Sequence, residues 1–134
     1  MNKTALFTLS AIAAIAGACG TIALAHGGKH SEKSTIKAVG EPIKCVRLHA
    51  ISSTDVVDGK TIDFKMRGGK TYRNTLDRKC PGLKSEERFS YRTSLGQLCD
   101  VDIIHVLHNY SGTLEKGASC SLGKFQYIEK ISAK

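Results

Sequence analysis

The fold is decided by residues 56–74, which read VVDGKTIDFKMRGGKTYRN. Apolar and polar side chains alternate along this stretch, and two turn dipeptides, Asp58-Gly59 and Gly68-Gly69, interrupt the alternation. A period of two is typical of half-buried strands. Both dipeptides supply the positive φ that tight hairpin turns require. The stretch therefore predicts successive antiparallel strands joined by two hairpins.

The same pattern continues on both sides of the hairpins. Val46, Leu48 and Ala50 alternate with polar residues, and further strands are predicted at residues 89–93, 101–107 and 124–131. Only residues 83–88 are typical of a short helical turn, and no amphipathic helix is evident. These segments predict an all-β fold, a small antiparallel barrel or sandwich of six to eight short strands.

The N-terminal residues 1–25 have the pattern of a secretory signal peptide. Lys3 precedes an apolar run that ends at Ala23-Leu24-Ala25, an A-x-A cleavage site. We therefore expect export to the periplasm or the extracellular space. Residues 26–43 are predicted to be a flexible leader, and residues 44–134 a single β-domain stapled by disulfides.

An alternative localisation is attachment to a membrane through a lipid at Cys19, because Ala16-Gly17-Ala18-Cys19 is a partial lipobox. The apolar run continues past this cysteine, which favours soluble export. About 20 apolar residues could also span a bilayer, but the small, glycine-containing composition favours a cleaved signal. No transmembrane segment is predicted in the mature chain.

Removal of residues 1–25 leaves Cys45, Cys80, Cys99 and Cys120. Four cysteines in a short exported domain imply two disulfides, and the sequence permits three connectivities. We expect Cys80–Cys99 inside a clasp formed by Cys45–Cys120, each stabilising the domain by about 3–4 kcal/mol. The paired C-x₂₋₄-C spacing of zinc sites is absent from the sequence, so no metal site and no cofactor are predicted.

Positive charge is concentrated in one part of the chain. The protein carries 20 Lys+Arg against 12 Asp+Glu, and residues 60–92 hold ten basic and four acidic side chains. Clustered cations attract polyanions and gain counterion release, although they also serve as a solvated face. The predicted basic binding surface consists of Lys65, Arg67, Lys70, Arg73, Arg78, Lys79, Arg88 and Arg92.

This surface predicts a non-catalytic binding module of the cell envelope. Its expected partners are anionic envelope polymers or lipid headgroups, because nucleic acid is less accessible there. Lys65, Arg67 and Arg73 alternate opposite the apolar face of the second hairpin, so their reversal to Glu is expected to abolish polyanion binding and leave the fold intact. A structural accessory role, in which the chain binds another envelope protein, is a further hypothesis.

The histidines suggest two other chemistries, neither with a local signature. His105 and His108 lie in a predicted strand with Asp102, and a His–Asp pair could serve a secreted phosphodiesterase or ribonuclease-like hydrolase. His26 would become the N-terminal residue after cleavage and could chelate copper with His30 or His49. The alternative interpretation is that these histidines have only a structural role. No residue is therefore assigned a catalytic role.

Three segments resemble a known family: VVDGKTIDFKMRGGKTYRNTLDRKCPGL, FSYRTSLGQLCDVDIIHVL and GASCSLGKF. They are similar to small exported bacterial proteins described only as a domain of unknown function. The resemblance spans about Cys45 to Phe125, and its most distinctive parts are the Tyr-Arg-Asn-x-Leu segment and the Cys120 block. It implies a scaffold with paired cysteines and an export signal, and it implies no activity.

Overall fold

A computed structural model describes residues 35–93 and 95–131. These residues contain a 3₁₀ turn at Leu48–Ala50 and a four-residue helix α1 at Leu83–Glu86. The strands, in chain order, are β1 (Thr35–Ala38), β2 (Cys45–Arg47), β3 (Ile51–Val56), β4 (Thr61–Met66), β5 (Thr71–Thr75), β6 (Phe89–Tyr91), β7 (Gln97–Cys99), β8 (Ile103–Tyr110), β9 (Thr113–Ser121) and β10 (Phe125–Ile131).

The strands form three antiparallel sheets that pack as a sandwich without closing into a barrel. The largest sheet has the order β1-β10-β5-β4-β3, the second pairs β2 with β7, and the third has the order β6-β8-β9. The all-β prediction is confirmed, but the described residues hold ten strands, more than the predicted six to eight. Among the strands that were not predicted, β1 and β7 have four and three residues, too few to show a period of two, whereas β9 has nine residues that are mostly exposed.

Both predicted hairpins are confirmed. The Asp58-Gly59 turn joins β3 to β4, where Val56 lies opposite Ile62. The Gly68-Gly69 turn joins β4 to β5, and Gly69 adopts the positive φ of 82° that this turn requires. In the first turn the Asp58 carboxylate accepts a hydrogen bond of 2.7 Å from the backbone N–H of Lys60.

The core lies between the five-stranded sheet and the two smaller sheets. Phe64 of β4 contacts Phe125 of β10 with ring centroids 5.3 Å apart, and it reaches Phe89 of β6 at 6.4 Å. Buried Asn74 accepts a hydrogen bond from the Gly123 N–H at 2.9 Å and donates one to the Gly123 carbonyl. This pair fixes the start of β10 against the end of β5.

The disulfides are Cys45–Cys99 and Cys80–Cys120, so the predicted pairing was wrong. Cys45 lies directly opposite Cys99 where β2 pairs with β7. Cys120 is held in β9, and the segment after β5 carries Cys80 into the core beside it. The prediction favoured the shorter loop between Cys80 and Cys99, but strand pairing decides which thiols meet.

The boundary of the predicted leader also needs correction. Thr35–Ala38 pairs with β10 as an edge strand, and Ile43 forms a bridge with Phe125. Residues 35–43 therefore take part in the β-domain. The predicted signal peptide, Cys19, His26 and His30 lie outside the described residues. Within the described ranges, no helix is long and apolar enough to cross a membrane.

Candidate functional site

The outer face of the β4–β5 hairpin carries an ion pair that removes one residue from the predicted basic surface. Arg73 Nε donates to Asp63 Oδ1 at 2.7 Å, and Nη2 donates to Oδ2 at 2.9 Å. Asp63 is only 1% exposed. The hydrogen bond to this carboxylate raises the pKa of Arg73 although burial opposes the charge. We therefore expect Arg73 to act in the fold, and its reversal to Glu to destabilise the protein by leaving the buried Asp63 carboxylate unpaired.

A second pair on this face is weaker. Lys65 lies 3.6 Å from Asp55, and both side chains are about half exposed. Such exposed pairs contribute about 0–1 kcal/mol, so Lys65 remains able to contact a ligand. The stripe formed by Lys65, Arg67 and Arg73 is consequently less positive than its sequence indicates.

Seven of the eight predicted cations are exposed, and six of these have no described carboxylate within 4.0 Å. These six lie in three places, and not on one stripe. Two lie around the turn of the β4–β5 hairpin, two in the segment before α1, and two on either side of β6. In that order they are Arg67 and Lys70, Arg78 and Lys79, and Arg88 and Arg92.

The middle pair is attached to the buried disulfide. Lys79 lies across Gly59, where a β-carbon would come within 3.1 Å of its side chain. The Cys80 N–H donates to the Gly59 carbonyl at 2.7 Å. Arg78 borders a small hollow of about 140 Å³ beside Cys120. The Cys80–Cys120 bond thus positions two free cations.

The histidines do not form the expected pair with Asp102. His108 Nδ1 contacts Glu86 Oε1 of α1 at 3.0 Å, and His105 Nδ1 lies 2.9 Å from the Ser119 hydroxyl across β8 and β9. Asp102 instead accepts a hydrogen bond of 2.7 Å from the Cys99 N–H. The carboxylate that was to orient a general base therefore serves the turn before β8.

His108 packs closely against two glycines, although its side chain remains 28% exposed. A β-carbon on Gly117 would overlap its imidazole, and one on Gly82 would approach the ring within 3.1 Å. These two glycines make room for the ring between α1 and β9, with Glu86 at its Nδ1. The arrangement ties α1 to the three-stranded sheet.

The described residues hold no group of three or more His, Cys, Asp or Glu side chains placed to bind a metal. His49, the one predicted copper ligand that the structure describes, is exposed on the 3₁₀ turn.

A cleft that sequence reasoning missed lies between the two small sheets and the edge of the large one. One part, of about 480 Å³, lies between β3 and β6, and the other, of about 700 Å³, extends toward Leu95 and Val101. Leu48 and Tyr91 line both parts, which therefore adjoin. Leu95 is 80% exposed and Val101 82%. Leu95 is an isolated apolar residue in irregular sequence, and Val101 was assigned to the predicted strand 101–107, although β8 begins only at Ile103.

Comparison with family models, with curated proteins and with solved structures found no match to this chain. The resemblance to a domain of unknown function stays a prediction. Functional inference therefore depends on the site itself.

Proposed function

We propose that this protein is an exported, non-catalytic binding module that contacts an anionic envelope polymer or lipid headgroup. The observation that carries the proposal is the set of exposed, unpaired cations within residues 60–92 of the described chain, three of which are Arg67, Arg78 and Arg88. Exposed cations without carboxylate neighbours keep their full charge for a partner. Hairpins and a disulfide fix the backbone that carries these cations. Binding therefore costs little free energy for ordering that backbone.

Export through the predicted signal peptide of residues 1–25 is part of this proposal. Two disulfides support an oxidising compartment, such as the periplasm or the extracellular space. A lipid anchor at Cys19 would place the same module at a membrane surface. Intact mass of the processed protein distinguishes the two, because lipidation adds mass to a chain beginning at residue 19.

The test is binding of the oxidised protein to lipopolysaccharide at several salt concentrations. Affinity should fall steeply with salt, because cation contacts release counterions. The triple variant Arg67→Glu/Arg78→Glu/Arg88→Glu should lose at least about tenfold in affinity, since each lost contact and added repulsion weakens binding.

The matched control is Lys44→Glu/Lys116→Glu/Lys130→Glu, which changes the net charge equally at exposed positions outside the basic segment. This control should lose less than about threefold, because its lysines lie outside the proposed surface. Equal losses in the two triple variants would show that net charge alone acts, and would refute the surface.

The hydrolase hypothesis is tested with labelled RNA in the same experiment. Intact RNA is expected, because neither His105 nor His108 is hydrogen-bonded to Asp102, whose carboxylate instead accepts from the Cys99 N–H. RNA cleavage that is lost in His105→Ala would show that the protein is an enzyme and not a binding module.

The accessory-protein hypothesis is favoured by one observation, the apolar cleft with Leu95 and Val101 at its side.

A further inference from the structure

The cleft lies between two strand edges that have no further partner strand in the described chain. β3 is the outer strand of the five-stranded sheet, and β6 is the outer strand of the three-stranded sheet. Residues 52–54 of β3 line one side, and Arg88, Phe89 and Tyr91 line the other. An open edge presents backbone N–H and C=O groups that pair readily with another extended chain.

The hydrogen-bond pattern shows which backbone groups of β3 are free. The Val57 N–H donates to the Thr61 carbonyl, so odd-numbered residues of this register face β4. In an antiparallel pair, alternate residues point their backbone groups to opposite sides. Thr54 and Val56 therefore face away from β4, and Lys84 Nζ already donates to the Val56 carbonyl at 3.1 Å. Thr54 keeps its donor and acceptor for a partner.

The same reasoning applies to β6. The Leu107 N–H donates to the Arg88 carbonyl, which makes Ser90 and His105 the next hydrogen-bonded pair. Phe89 and Tyr91 consequently direct their backbone groups away from β8. Their rings pack on the core, with Phe89 and Tyr91 centroids 6.3 Å apart, so this rim is rigidly held.

Charge selects the kind of chain that fits. Arg88 and Arg92 lie immediately before and after β6, both are exposed, and neither has a described carboxylate within 4.0 Å. On the opposite rim, residues 52–54 are Ser-Ser-Thr and carry no charge. The side that extends past Tyr91 is apolar at Leu95 and Val101. Two carboxylates also line the cleft, but each has a partner: Glu87 pairs with Lys84 at 2.6 Å, and Asp102 accepts a hydrogen bond from the Cys99 N–H. An incoming segment would therefore meet two unpaired cations on one side and an apolar surface at one end.

We infer that the cleft is a docking site for an extended, acidic segment of another protein, which adds as a strand to the free edge of β3 at Thr54. Main-chain hydrogen bonds supply affinity in strand addition, and side-chain contacts supply specificity. Acidic side chains of the segment face Arg88 and Arg92, and an apolar side chain reaches Leu95. This site goes beyond the proposed polyanion surface, because it requires a strand edge that a polyanion does not.

The test is selection of phage-displayed random twelve-residue peptides on the oxidised protein. Enriched peptides should contain Asp or Glu and apolar residues, and they should bind Thr54→Pro at least about tenfold more weakly. Proline removes the N–H that faces the cleft and leaves the β3–β4 hydrogen bonds in place. The matched control is Ser121→Pro, which removes an N–H from the free edge of β9 and should bind as well as wild type.

A second variant keeps the site testable if Thr54→Pro fails to fold. Arg88→Glu/Arg92→Glu should weaken the same peptides, whereas Lys130→Glu on β10 should not. The absence of enriched peptides, or equal binding to wild type and Thr54→Pro, would overturn the site. If sedimentation shows a dimer that Thr54→Pro abolishes, the edge of β3 binds a second copy of this chain. That result would overturn the proposal that the segment belongs to another protein. Loss of peptide binding with unchanged lipopolysaccharide binding in Thr54→Pro would show that only the peptide needs the strand edge, although the two sites share Arg88 and Arg92.

Discussion

Arg73 lies directly opposite Asp63 where β5 pairs with β4, and its guanidinium donates hydrogen bonds of 2.7 and 2.9 Å to both carboxylate oxygens. The two residues form a cross-strand pair on the outer face of the five-stranded sheet. Asp63 is fully buried beneath the side chain that neutralises it, while Arg73 remains partly exposed. The bidentate guanidinium of Arg73 therefore provides hydrogen bonds to both oxygens of a buried carboxylate that would otherwise lack a partner.

Truncation of Arg73 should destabilise the protein more than its surface position suggests. Arg73→Leu leaves the Asp63 charge buried and unpaired, and we expect a loss of about 3 kcal/mol in the free energy of unfolding. Arg73→Lys should recover only part of this, because lysine cannot form the bidentate contact. The double variant Asp63→Val/Arg73→Val should lie within about 1 kcal/mol of wild type. Urea denaturation measures all three, and a double variant as unstable as Arg73→Leu would contradict this account.

The contact between Gly117 and His108 makes a second prediction. In Gly117→Ala the new methyl group overlaps the imidazole, which must leave its place beside Glu86. We expect a cost of about 1–3 kcal/mol, and recovery of most of it when His108→Ala is added. Gly68→Ala is the control, because open space surrounds that glycine, and its change should stay within about 0.5 kcal/mol. A Gly117→Ala variant as stable as this control would refute the packing role of His108.

The central hairpins were predictable because their determinants are local. Asp58-Gly59 and Gly68-Gly69 fix the turns, and the alternation around Phe64 fixes which face is buried. The disulfide pairing was not predictable from the sequence. Cys45 meets Cys99 only because two three-residue strands, β2 and β7, pair across a separation of 54 positions. The alternation within a strand does not reveal which distant strand it pairs with.

The charged residues show what the sequence could not reveal about the predicted surface, which stays a prediction. Alternation placed Arg73 on the outer face, where it lies, but alternation does not reveal that Asp63 lies directly opposite. That neighbour depends on hairpin register. The cleft was invisible for a different reason, because an open strand edge is a property of sheet order and not of any one strand's sequence. Thr54 looks in sequence like any other polar strand residue.

The pH dependence of one tyrosine follows from its neighbour. The hydrogen bond from Tyr127 Oη to Glu129 Oε1, of 3.1 Å, raises the pKa of Tyr127 above 10.0, with desolvation acting in the same direction. The folded state therefore holds this proton more tightly than the unfolded state. Its contribution to stability is fully present below pH 10 and is lost as the pH rises through the folded pKa.

Absorbance at 295 nm, taken as the difference between wild type and Tyr127→Phe, should report this titration separately from the other tyrosines. In Glu129→Ala the pKa of Tyr127 should fall back toward 10, because both the acceptor and the negative charge are gone. A titration midpoint that Glu129→Ala leaves unchanged would show that the carboxylate does not perturb the phenol.

The two disulfides should differ in how readily they are reduced and in what their loss costs. Cys80 and Cys120 are 1% and 6% exposed, whereas Cys45 and Cys99 lie half-buried. With rising dithiothreitol under native conditions, alkylation should label Cys45 and Cys99 first, because a thiolate must reach the sulfur it attacks.

Tryptic mapping of the oxidised protein should link residues 45–47 to residues 93–116, and residues 80–84 to residues 117–124. Closure of either loop is worth about 4 kcal/mol in the chain-entropy model. Cys80→Ala/Cys120→Ala should cost more than Cys45→Ala/Cys99→Ala, because it also leaves a cavity in the core and releases Arg78 and Lys79. If the Cys80→Ala/Cys120→Ala variant then binds lipopolysaccharide with unchanged affinity, the positioning of those two cations is not part of the binding surface.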